Sequence, residues 1–224
     1  MKKRNKKKFN FVKFITTLII LFCLFMLFRY LLEVKTKNIV ILNNDYYTDE
    51  QIIEKANLQD YPKFILLNKN KIRKDLKELE LIEDVDIEKT SEFVLKLKIK
   101  EKKILYLIRS KQEYMTSDGK SYDLENVYGV PTLINYVPED VEKLFIKEFS
   151  KIDKNIINLI SEIEYSKSEY DDKRFLLYMN DGNEVYITVY KVDILNKYID
   201  IVKKLEGKNG ILYLDSGNYF EIKN

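Results

Sequence analysis

Two acid pairs, Glu139-Asp140 and Asp171-Asp172, are the residues in this chain best suited by type to catalysis. Paired carboxylates are the equipment of glycoside hydrolysis, one supplying a proton and the other acting as base or nucleophile. Their settings argue against that use. Glu139-Asp140 follows Pro138 at a helix start, where acids favour the helix dipole, and Asp171-Asp172 lies in a turn-like stretch. Asp118-Gly119 likewise reads as a turn. There is no histidine among the 224 residues, which removes the usual general base and the commonest metal ligand. The one cysteine, Cys23, sits inside the longest apolar run, so neither a Ser-His-Asp nor a Cys-His set can form, and zinc lacks its usual ligands. The six glycines fall at turns or helix ends, with no phosphate-binding loop or dinucleotide fingerprint. No catalytic residue, cofactor site or metal site is expected, and no small-molecule substrate.

The apolar run is Phe14 to Leu32, FITTLIILFCLFMLFRYLL, uncharged as far as Phe28. A helix from Val12 to Leu32 is about 31 Å long, matching a hydrocarbon core of ~30 Å. Lys13 and Arg29 then lie near the two ends, where long basic side chains reach the headgroups, and Tyr30 suits the interface. Lys2, Lys3, Arg4, Lys6, Lys7 and Lys8 precede the run, and the first acid is Glu33. By the positive-inside rule the N-terminus stays in the cytoplasm and the remainder is exported. No small-residue cleavage site follows, so the run reads as an uncleaved signal anchor.

The charge divides at the same place. The whole chain has 39 Lys and Arg against 36 Asp and Glu; eight of the 39 precede Glu33, leaving 31 against 36 in the exported part. A slightly acidic exported region is a poor partner for nucleic acid. With Cys23 in the anchor it has no disulfide and is held by its core alone.

Residues 1–13 form the basic cytoplasmic tail, 14–32 the anchor, and 33–103 a first exported domain. Within it Asn38 to Leu42 is a strand. Thr48 with Gln51 three residues on is a capping box opening a helix, and a second helix follows Asn68 with Ile72, Leu76 and Leu79 on one face. Glu83 to Lys89 is a strand. Leu95, Leu97 and Ile99 then alternate with Lys96, Lys98 and Lys100, the mark of a half-buried antiparallel strand. Strand, helix, helix, strand, strand resembles a POTRA domain, and more narrowly the one that follows a single signal anchor in the FtsQ/DivIB family of bacterial division proteins. The residues that carry the resemblance are Ile39-Val40-Ile41-Leu42-Asn43-Asn44, Phe64-Ile65-Leu66-Leu67-Asn68, Ile72, Leu76, Ile82-Glu83-Asp84-Val85-Asp86-Ile87, the alternating strand and Glu101. Lys89-Thr90-Ser91-Glu92-Phe93 lacks the proline that the family often has in this hairpin.

Residues 104–224 read as a C-terminal β domain, α+β with an antiparallel sheet. Ile104 to Ile108 is a strand; the Asp118-Gly119 turn leads to a short strand and then to Gly129-Val130-Pro131-Thr132-Leu133. A helix carries Val141, Leu144, Phe145 and Phe149 on its apolar face. Asn180-Asp181-Gly182-Asn183 joins a hairpin. Asp193 is expected to cap a helix with Ile194, Leu195, Tyr198, Ile201, Val202 and Leu205 on one stripe, stopped by Gly207. Ile211 to Leu214 and Tyr219 to Ile222 end the domain. This order too is similar to the FtsQ/DivIB family.

The resemblance implies a non-enzymatic scaffold at the division septum that binds FtsL and FtsB/DivIC-type proteins outside the cytoplasm and supports septal wall synthesis. In the family an FtsB-type partner adds a strand near the C-terminus, which points to Tyr213, Tyr219, Phe220 and Ile222 as partner-binding candidates. Alternation puts Tyr219 and Glu221 on one face and Phe220 and Ile222 on the other, and either face is open to the core at this point. Two other readings stand beside this one: an anchored wall-modifying enzyme, and a POTRA-bearing transport factor, although the latter usually carry a barrel or repeated POTRA units. A reporter that works only outside the cytoplasm, fused after Asn224, is expected to be active; activity of a cytoplasm-only reporter there would reverse the orientation.

Overall fold

The computed structural model describes residues 11–223; the basic cluster from Lys2 to Lys8 falls outside them. Two compact units divide between Glu101 and Lys102.

The first unit opens with α1 (Phe11–Glu33), apolar on all sides and exposed at every residue from Phe11 to Tyr30. A helix with no polar stripe has no face to turn to water. It is long and apolar enough to cross a membrane, which fits a single-pass membrane protein. β1 (Asn38–Leu42) leads to α2 (Asp49–Lys55), α3 (Lys69–Leu76), β2 (Ile82–Lys89) and β3 (Val94–Glu101). Local chemistry sets the helix starts. Thr48 and Gln51 exchange both capping-box hydrogen bonds, and the Asn68 side chain accepts the N–H groups of Asn70 and Lys71. Leu79 lies beyond the end of α3 but still packs on the core. β3 is central, parallel to β1 and antiparallel to β2. Leu95, Leu97 and Ile99 face Ile52, Ile72 and Leu76 of the helices in one cluster with Val85 and Ile87. At the end of β3, the Glu101 carboxylate accepts the backbone N–H groups of Asp45, Tyr46 and Tyr47 at 3.0, 2.8 and 3.2 Å. It thereby closes the turn after β1.

The second unit contains β4 (Ile104–Ile108), β5 (Glu113–Thr116), β6 (Ser121–Tyr122), β7 (Thr132–Leu133), α4 (Glu139–Phe149), α5 (Lys154–Ile157), β8 (Ile160–Tyr165), β9 (Arg174–Met179), β10 (Glu184–Thr188), α6 (Tyr198–Val202), β11 (Gly210–Tyr213) and β12 (Tyr219–Ile222). Its nine strands run in the order β12-β11-β10-β9-β8-β7-β4-β5-β6. The class is α+β, as the sequence indicates, but the sheet is mixed rather than antiparallel. β4 with β7, β7 with β8, and β10 with β11 are parallel. Each of those connections crosses over through a helix or a hairpin, and a crossover returns the chain in the same direction. Phe145 of α4 stacks on Phe149 and on Phe175 of β9, with centroids 4.8 and 4.1 Å away, at the centre of the core.

The helix expected after Asp193 is instead three pieces. A 3-10 segment runs over Val189–Lys197 with a kink at Lys191, followed by α6 and a further 3-10 turn ending at Glu206 and Gly207, both at positive φ. Val189, Val192, Leu195 and Tyr198 are all buried. Spaced by three, they share one side only if the chain winds at three residues per turn. Tyr198 anchors this segment: its hydroxyl lies 2.9 and 2.8 Å from the Asp181 carboxylate oxygens and accepts from Asn183 Nδ2. Burial, and then the Asp181 carboxylate, raise the phenol pKa well above its ordinary value, so it stays a donor.

Glu101→Gln leaves a neutral acceptor with one amide oxygen in place of three charge-assisted hydrogen bonds. Amide exchange at Asp45, Tyr46 and Tyr47 is expected to speed up by about tenfold, equivalent to roughly 1.4 kcal/mol. Unchanged exchange would show that the turn holds without Glu101.

Candidate partner-binding edge

β12 lies at one end of the nine-stranded sheet, and among the described residues no strand pairs with its outer side. Its register on β11 is Gly210 with Ile222, Ile211 with Glu221, Leu212 with Phe220, and Tyr213 with Tyr219. The Lys223 N–H donates inward to the Asn209 carbonyl at 3.2 Å. In an antiparallel pair the direction alternates from residue to residue. Glu221 and Tyr219 therefore also point their backbone groups at β11, while Phe220 and Ile222 direct their N–H and C=O groups out of the sheet. On the other side of β11 the Leu214 N–H donates to Tyr186 at 2.9 Å, which fits the same alternation. The opposite edge, β6, is two residues long, too short to template a partner.

The side chains divide by face. Leu212 and Leu214 are buried against the helices, and Phe220 joins that core partly buried. What brings it there is Gly210: a Cβ at that position would lie 2.0 Å from the Glu221 carbonyl oxygen and 2.8 Å from the Phe220 ring. Asn183 Oδ1 accepts the Gly210 N–H at 2.9 Å, so the point of contact is tied to the β9–β10 loop. Ile222 shares Phe220's face but lies past the covered core and is 53% exposed.

The opposite face carries Tyr219, 51% exposed, and Tyr213. Their rings stack at 4.5 Å, and Tyr213 stacks on Tyr186 of β10 at 5.3 Å. The Arg174 guanidinium of β9 lies 3.7 Å from the centre of the Tyr186 ring. One row of three tyrosines and an arginine thus crosses four strands, and cross-strand ring pairs of this kind each contribute about 0.5–1 kcal/mol. Arg174 Nε is also 2.8 Å from Asp215 Oδ2 in the β11–β12 turn. That N–H has no hydrogen-bond partner, so the contact is Coulombic rather than hydrogen-bonded. The Tyr213 hydroxyl donates to Glu221 at 3.1 Å, and burial, then this bond and the Glu221 charge, raise its pKa.

Of the four candidates, Tyr213 and Tyr219 are in contact on the solvent face. Phe220 and Ile222 lie on the other, Phe220 as a core residue and Ile222 as an exposed one. Tyr186 and Arg174 were not among them. Tyr186 sits at an outward position of an alternating strand, but nothing local says that β10 runs parallel to β11.

A POTRA model of the FtsQ type matches residues 34–102. The cell division protein DivIB of Brevibacillus brevis is 30% identical over 98% of this chain and 85% of its own length. The chain belongs to the DivIB family. DivIB of Bacillus cytotoxicus is 28% identical over 98% of this chain and 89% of its own, and DivIB of Bacillus subtilis 26% identical over 99% and 87%. A solved extracytoplasmic domain of DivIB from Geobacillus stearothermophilus aligns over 48% of this chain at 22% identity, with a TM-score of 0.40. Membership gives this DivIB-family chain a role in cell division, and the family model accounts for the βααββ order of its first unit.

In Gly210→Ala the added methyl group meets the Glu221 carbonyl oxygen as well as the Phe220 ring, and the backbone contact cannot be relieved by a side-chain rotation; such overpacking typically costs about 1–3 kcal/mol. β12 is expected to detach locally, read as loss of exchange protection at the inward amides of Tyr219 and Glu221 with β9 unaffected. Full protection in the variant would show that the close approach does not seat the strand.

Proposed function

We propose that this chain is a non-enzymatic, single-pass scaffold of the division machinery that binds FtsL and FtsB/DivIC-type proteins outside the cytoplasm and supports septal wall synthesis. The N-terminus is cytoplasmic and both compact units are exported at the septum. The observation that carries this reading is the open side of β12, where the N–H and C=O groups of Phe220 and Ile222 are directed away from the sheet. A strand from a partner satisfies those groups by lengthening the sheet, so the backbone supplies affinity and neighbouring side chains supply selectivity. Tyr219 is the contact residue on the solvent face, supported from behind by Tyr213 and Tyr186, and Ile222 is the contact on the other. Phe220 acts indirectly, as the core residue that fixes the strand.

The family resemblance supplies the partner class; the edge supplies the mechanism. Aromatic side chains held in a stack lose little freedom on binding, which makes Tyr219 a suitable anchor.

Ile222→Pro removes one outward N–H and no bond to β11. Tyr219→Glu places a charge where a partner side chain would pack. Each is expected to weaken binding of the extracytoplasmic part of an FtsB/DivIC-type partner by about tenfold or more, roughly 1.4 kcal/mol. The melting temperature of the full chain should shift by no more than about 4 °C, the most that loss of the Tyr213–Tyr219 stack accounts for. Titration calorimetry reads the first and a thermal melt the second. If truncation after Leu214 leaves a folded protein that binds at full affinity, β12 is not the docking edge.

A further inference from the structure

The chain leaving α1 is clamped at once. Thr36 donates its backbone N–H and its hydroxyl to the Pro62 carbonyl at 3.0 and 2.8 Å, and the Phe64 N–H donates to Val34 at 2.9 Å. Lys63 Nζ is 2.7 Å from Glu33 Oε2. The 3-10 turn Phe64–Leu66 lies beside the end of α1, where Leu31 and Leu32 are half-buried. Inside the turn, Phe64 is buried edge-on to Phe93 at 5.5 Å. Lys89 Nζ lies 5.2 Å from the centre of the Phe64 ring and donates to the carbonyls of Ile65 and Leu67 at 3.3 and 3.0 Å. The turn is therefore fixed from within, although it carries two large apolar side chains on its outside and Tyr61 stands exposed just before it. Leu66 is 63% exposed, Tyr61 43% and Ile65 41%. Tyr61 is held at a φ of 48°, a conformation that a bulky residue adopts only when its surroundings impose it.

Depth follows from length. If α1 fills the hydrocarbon core, Leu31 and Leu32 end at its boundary, about 30 Å from the entry point. A turn packed beside them stands at that same boundary. Exposed Lys35 and Lys37 flank it, and cations beside apolar and aromatic residues suit the layer between acyl chains and headgroups.

We propose that Tyr61, Ile65 and Leu66 are immersed in the interface of the same bilayer that α1 crosses, so that the first unit meets the membrane through two adjoining elements, a helix and a turn. This rests on the reading of α1 as a membrane span. The occupant is lipid, because α1 brings lipid to this position with no other partner required.

The chain has no tryptophan, so each single-tryptophan variant reports one site. The full chain is reconstituted in vesicles of phosphatidylcholine and phosphatidylglycerol, with and without phosphatidylcholine brominated on its acyl chains. Phe22→Trp, in the middle of α1, tests the span itself. Ile65→Trp and Leu66→Trp test the turn, and Leu42→Trp, about 16 Å along β1 from Lys37, is the exposed comparison site. Bromolipid is expected to lower emission about twofold or more at Phe22→Trp, Ile65→Trp and Leu66→Trp, and to leave Leu42→Trp unchanged. Quenching at Phe22→Trp without quenching at either turn position overturns this proposal alone. No quenching at Phe22→Trp overturns the membrane span and the proposal with it. Equal quenching at Leu42→Trp and Leu66→Trp overturns the turn as a specific contact.

Discussion

The approach of the β12 backbone to Gly210 is the constraint on which the candidate edge depends. A strand at the end of a sheet has only one neighbour, and here that neighbour lacks a side chain at the point of closest approach. The Phe220 ring occupies the vacant volume, which commits Phe220 to the core and leaves Tyr219 on the solvent face. Asn183 holds the Gly210 amide, Asp181 holds Tyr198, and Asn209 Nδ2 donates to the Asp181 carbonyl at 3.0 Å. The loop Asn180-Asp181-Gly182-Asn183 is thus more than a hairpin turn. It joins the start of β11 to the broken helical segment and sets the height at which β11, and therefore β12, enters the sheet.

Much of this was legible in the sequence where the cause is local. The Thr48–Gln51 capping box, the helix start after Asn68, the alternation of Leu95, Leu97 and Ile99, and the apolar face of α4 depend on neighbours within a few positions, and all appear where the sequence places them. The 3-10 winding after Thr188 was not legible, because a spacing of three belongs to the α-helical pattern as well, and only simultaneous burial of Val189, Val192, Leu195 and Tyr198 separates the two. The parallel pairings escaped for a related reason: strand direction is decided by where a crossover lands.

The candidate site shows the same division. Tyr213 and Tyr219 face each other across a hairpin and can be paired from the sequence. Tyr186 and Arg174 reach the same row only through the parallel β10–β11 contact and the turn at Asp215, so the part of the row furthest from the edge is visible only in three dimensions. The face of Phe220 was open on alternation alone; a glycine nine residues before its strand settled it.

The arrangement of the first unit has a mechanical consequence. α1 leads into the start of β1, and the chain departs for the second unit from the end of β3. These two strands are parallel and paired from Asn38 with Val94 to Leu42 with Lys98. Tension between α1 and the second unit therefore pulls β1 and β3 along their length in opposite directions, loading the ladder in shear. Its hydrogen bonds share the load at the same moment instead of parting one after another as in a zipper. Glu101, gripping three amides beside the point of departure, adds a catch at the stressed end.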